Sequence, residues 1–202
     1  MESTIPKIIV KRAVNFFLFA AAITIMATII TYIINPDLKA VMEGTKSRLP
    51  DQVKESIGIH KVWSYIVNNG FMVPLQMLIL ALIPIQFLYV ANIISTVLLP
   101  GILFGIGLQA DFKKGSEIII STIPHYVFEV FALCLLAAVL FELNQVVRAK
   151  IRNIFKKDKK GISFIKKFLE TIRTYAIIVL PTIIVAAFLE TYIADIIFNL
   201  FQ

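Results

Sequence analysis

The chain has 202 residues, of which 58% are hydrophobic and only 16% charged. A soluble domain is about half apolar and about a quarter charged, so this balance excludes an ordinary soluble enzyme and points to an integral membrane protein. The formal net charge of +7 does not mark a nucleic-acid binder: ten of the 20 Lys and Arg lie in Arg148–Arg173 between two apolar runs. Orientation and lipid headgroups account for basic residues placed there.

The first apolar run, Ala13 to Ile34, is long enough to cross about 30 Å of hydrocarbon. It exceeds the apolar region of a cleaved signal peptide and lacks a small-residue cleavage site after it, so a retained span is expected. Pro36 to Gly70 holds five basic and four acidic residues. It reads as an external loop with one or two surface helices, and with Trp63 and Tyr65 near the interface. Phe71 to Gln109 is almost uncharged over 39 residues. It divides into two spans, about 71–88 and 91–108, with a turn at Tyr89–Asn92. A short polar loop over 110–117 precedes a fourth span at about 118–143. The basic segment 144–174 follows, and the last span covers about 175–199. Cys134, the single cysteine, lies inside the fourth run and packs as a small apolar residue.

The expected fold is therefore an all-α bundle of about five transmembrane helices in one membrane domain, 1–202. Positive residues favour the cytoplasmic side. Arg148, Lys150, Arg152, Lys156, Lys157, Lys159, Lys160, Lys166 and Lys167 put the segment before the last span inside and in contact with lipid headgroups. Counting back puts the N-terminus inside, in agreement with Lys7, Lys11 and Arg12. The C-terminus is then outside. The mixture of these cations with Ile151, Phe155, Phe164 and Phe168 also suits a helix lying on an anionic surface.

Polar residues inside the apolar runs are the candidate site. An ionisable side chain in hydrocarbon costs about 2.5–3.5 kcal/mol on insertion scales. His125 and Glu129, four apart, share one helix face. Pro124 is expected in the first turn or two of that helix, where its missing N–H costs little. Glu190 falls at similar depth in the last span. Two carboxylates at one depth repel, and His125 between them relieves this. Three readings stand: a polar cluster that fixes helix packing, a proton, ion or partner-docking site, and half of a metal site. The H-E-x-x-H pattern is absent, and no metal or cofactor is expected. Gly101 and Gly105 in "GILFG" carry the small-xxx-small spacing of close helix packing, within the chain or between copies in a homo-oligomer. There is no glycine-rich phosphate loop, no G-x-S-x-G and no cysteine–histidine pairing, so enzyme activity is not expected.

Three stretches, "NNGF" at Asn68–Phe71, "PHYVFE" at Pro124–Glu129 and "AAFLETYI" at Ala186–Ile193, resemble the stage II sporulation protein M family. The resemblance implies five spans and a cluster joining His125, Glu129 and Glu190 to Asn68 or Asn69. It implies a non-enzymatic membrane scaffold of the cell membrane that anchors partners such as cell-wall hydrolases, with no nucleic acid bound. Relatives that are similar to this family occur beside membrane transporters and in circular-bacteriocin clusters. An ABC-transporter accessory or a bacteriocin secretion and immunity protein is therefore the alternative, and a metal-dependent intramembrane hydrolase a second one.

Overall fold

In a computed structural model, residues 6–34, 36, 58–154 and 163–201 are described. Five helices are long and apolar enough to cross a membrane: α1 Lys7–Ile34, α2 Ile59–Leu82, α3 Val90–Ala110, α4 Phe112–Ile154 and α5 Phe164–Asn199. No strand occurs among the described residues.

The helices run beyond the expected spans. α2 begins at Ile59 and not at 71, so residues 59–70 continue directly into the second membrane-capable helix where a separate surface helix is expected. The connection to α3 is Ile83–Tyr89, earlier than the expected turn, and Asn92 is helical. Pro84 explains the earlier break. The residue before proline is driven out of the α region, and Ile83 is extended at φ −75°, ψ 136°. Phe87 then takes a left-handed φ of 66°. The polar loop expected over 110–117 contracts to Asp111, whose Oδ1 accepts the Lys114 N–H at 3.1 Å and caps the start of α4. Pro124 is consequently well inside α4, not in its first turns. α5 starts at Phe164, so the later part of the basic segment continues into the fifth span. Residues 37–57 of the expected external loop, and Lys156, Lys157, Lys159 and Lys160, lie outside the described residues.

α4 is the central helix. Its apolar stretch is 61% buried, against 22–33% for the other four. Almost every residue from Val130 to Leu140 is in the core, with Cys134, Ala137, Ala138 and Leu140 fully enclosed. A helix apolar all round suits such a central position. α1 and α3 pack on it together. Gly101 and Gly105 of α3 face α1: a Cβ on Gly101 would stand 2.7 Å from Thr24 O and Ala27 Cβ, and one on Gly105 2.6 Å from Thr28 O. The small-xxx-small spacing thus lets two helices of the same chain approach closely.

Three stretches are wound more loosely, with wide π-type turns: Ile66–Met72 in α2, and Tyr175–Val179 and Leu189–Ile193 in α5. Pro74 and Pro181 stand just after the first two. A proline ring crowds the carbonyl one turn earlier and donates no N–H to it. The wide turn absorbs the crowding, and at Pro74 a side chain replaces the lost donor, because the Tyr175 hydroxyl donates to Gly70 O.

Candidate functional site

Two of the loosened stretches carry the polar residues. Asn68 and Asn69 sit on the α2 stretch and Glu190 on that of α5. Such π-turns re-aim side chains and are frequent at functional sites. His125 and Glu129 come from one face of α4. Glu190 is the hub. Its Oε2 lies 2.6 Å from His125 Nδ1, a close electrostatic contact with no aligned hydrogen bond at that nitrogen. Its Oε1 accepts the Tyr65 hydroxyl at 2.9 Å and has Lys61 Nζ at 3.6 Å. Asn69 lies within hydrogen-bonding reach of Glu129, and its Oδ1 accepts the Asn68 amide at 2.6 Å. The structure therefore gathers His125, Glu129, Glu190, Asn68 and Asn69 where α2, α4 and α5 meet. Val62, Ile66 and Ala187 form an apolar plug beside them.

Tyr65 and Lys61 belong to this cluster and escaped the sequence reading. With Asn68 and Asn69 they occupy positions i, i+4, i+7 and i+8, one helical face. That spacing is visible in the sequence once residues 59–70 are taken as helix. Tyr65 turns into the bundle, whereas Trp63 remains 63% exposed, as an interfacial ring would be. His60 is exposed in the first turn of α2, and Asp195 is exposed near the end of α5. Among the described residues, no three His, Cys, Asp or Glu side chains gather closely enough to hold a metal ion.

A second polar layer lies at the other end of the bundle. Glu142 of α4 pairs with Arg12 at 3.5 Å and Lys167 at 2.7 Å, and Lys167 also reaches Glu170 at 2.8 Å. The Arg12 guanidinium stacks 4.1 Å above the Phe141 ring. Two residues beyond Glu142, Asn144 is almost fully buried. Its amide donates to Ala81 O and Ile83 O at 2.9 and 2.8 Å where α2 ends, and Ile83 O also accepts the Ile85 N–H at 2.8 Å. Its Oδ1 accepts Arg148 Nε at 3.0 Å, and Arg148 Nη1 donates to Gln86 Oε1 at 3.0 Å. Of the basic residues read as surface anchors, Lys167 and Arg148 thus point into pairings, while Lys150, Arg152 and Lys166 are exposed.

The spacing of Glu129 and Glu142 explains why the carboxylates at these two levels have polar partners. Only the twelve residues Val130–Phe141 separate Glu129 from Glu142, about 20 Å along the helix. The hydrocarbon slab is about 30 Å thick, so no placement of it around this stretch keeps both of these carboxylates in the headgroups. Charges at that depth persist only when matched by partners.

The family model described as Stage II sporulation protein M matches residues 14–195. No curated protein and no solved structure matches the chain. The family is not a known enzyme family. The matched region takes in most of α1 and α5, the whole of α2 to α4 and the three stretches that build the cluster, and this multi-pass membrane protein belongs to the stage II sporulation protein M family.

Proposed function

We propose that the chain is a non-enzymatic scaffold of the cell membrane that anchors or assembles partner proteins, cell-wall hydrolases among them. The observation that supports this reading best is the use of the polar cluster. Glu190 meets Lys61 and Tyr65 from α2 and His125 from α4. These groups are engaged in joining three helices of one chain. A catalytic carboxylate or nucleophile has to face substrate, whereas this one faces neighbouring helices. The family resemblance supplies the class of partner. The proposed orientation follows the positive-inside rule: Arg148, Lys150, Arg152, Lys166 and Lys167 are cytoplasmic with the N-terminus, and the His125–Glu190 layer lies in the outer half.

Affinity capture from native membranes in mild detergent tests the proposal. A tagged chain is expected to recover at least one specific partner protein at near-stoichiometric yield. A recovered set no different from that of an unrelated five-span control protein would remove the scaffold reading.

A further inference from the structure

An open groove of about 580 Å³ lies between the α2–α3 connection and α4, lined by Pro84, Gln145, Arg148, Ala149, Ile151 and Arg152. Its cations differ from the others at this end of the bundle. Arg12 and Lys167 are both matched by Glu142. Arg148 is held instead by two neutral amides, Asn144 and Gln86, through Nε and Nη1. These bonds orient the guanidinium without neutralising it. Among the described residues no carboxylate pairs with Arg148 or Arg152, and the Nη2 donors of Arg148 are not taken. Arg152 follows one turn later on the same face.

We propose that this groove is a binding site for the phosphate-bearing headgroup of an anionic phospholipid. A guanidinium fork matches two phosphate oxygens, and a pre-oriented one loses less freedom on binding. Depth selects a lipid over a phosphate in solution. Arg148 lies 19 residues beyond Glu129, about 28 Å along the helix. That is close to the hydrocarbon thickness of about 30 Å, so Arg148 stands at headgroup level when the other polar layer stands at the opposite one. The groove's rim also offers acyl-chain contact, since Ile85 and Ile151 are 56% and 39% exposed. The site is a single oriented groove, distinct from the diffuse attraction of a basic segment for an anionic leaflet.

The test uses the purified full chain in a neutral detergent, with phosphatidylglycerol or phosphatidylcholine added and binding read by native mass spectrometry and lipid-dependent melting. One phosphatidylglycerol per chain is expected, held at least tenfold more tightly than phosphatidylcholine. Arg148→Gln and Arg152→Gln are each expected to weaken it at least fivefold, while Lys11→Gln and Lys166→Gln change it less than twofold. Arg148→Gln also removes a brace. Arg152, which has no partner among the described residues, therefore carries the test if that first variant melts too early. Equal affinity for the two lipids, equal losses in the Lys11 or Lys166 variants, or displacement by equimolar inorganic phosphate would each overturn the proposal.

Discussion

Removing the Glu190 carboxylate is the sharpest perturbation of the bundle. Glu190→Ala deletes the acceptor of the Tyr65 hydroxyl and the partner of His125 and Lys61. The three contacts are not equal. Lys61 is 3.6 Å away and its side chain is 29% exposed, so its contact is worth about 0–1 kcal/mol, as for exposed ion pairs. Tyr65 and His125 are closer, and the His125 side chain is only 13% exposed. Breaking a buried pair costs about 3–5 kcal/mol in soluble proteins, but hydrogen bonds between membrane helices average about 0.6 kcal/mol and reach about 1.7. A loss of about 2–4 kcal/mol is expected between these limits. For a chain of this size about 1 kcal/mol moves the melting temperature by about 2–4 °C, so a drop of roughly 5–12 °C should be seen in detergent. Glu190→Gln keeps an acceptor for Tyr65 and should lose about half as much. A double-mutant cycle with Tyr65→Phe isolates that one bond and should return about 1 kcal/mol of coupling. Asp195→Ala, an exposed change in the same helix, should stay within about 0.5 kcal/mol. A Glu190→Ala chain melting within about 1 °C of the parent would refute the assignment of Glu190 as the hub.

Other outcomes follow from single contacts. Asn144→Leu leaves Ala81 O without its side-chain donor, leaves Ile83 O with the Ile85 N–H alone and frees Arg148; a loss of about 1–3 kcal/mol is expected from the buried unsatisfied carbonyl, and faster proteolysis of the 83–89 connection should accompany it. Gly105→Leu forces side-chain atoms against the α1 backbone at Thr28 and should cost about 1–3 kcal/mol through overpacking, read as a lower melting temperature and reduced cross-linking between cysteines placed on α1 and α3. Tyr175→Phe removes the donor to Gly70 O and should cost about 1 kcal/mol. The cost should shrink in a Pro74→Ala background, where the helix regains an N–H donor.

The number of spans was legible because each helix contains an apolar run of bilayer length, and hydropathy responds to nothing else. Helix ends were not, because α4 and α5 continue into polar sequence that hydropathy treats as loop. The early connection at Ile83 had a local signal, Pro84, outweighed by the polar look of Tyr89–Asn92. Asn92 is in fact helical. The ionisable members of the α2–α4–α5 cluster, His125, Glu129 and Glu190, are conspicuous as such groups in apolar runs. Tyr65 and Lys61 were hidden by the loop assignment, which withheld the helical spacing that aligns them with Asn68 and Asn69. Asn144 is a single amide two residues after Glu142. Its role as donor to the end of α2 depends on tertiary placement, which no local pattern encodes. The π-turns likewise have no sequence signature beyond the prolines that follow two of them.

The most direct measurement compares His125→Ala, Glu129→Gln and Glu190→Gln with the parent chain for melting temperature, membrane level and partner capture from native membranes, all on the same preparations. If the cluster holds α2, α4 and α5 together, melting temperature and membrane level fall together in all three variants, and the fraction that remains folded still captures its partner. Variants as stable and abundant as the parent that no longer capture a partner would contradict this, and would make the cluster a recognition surface.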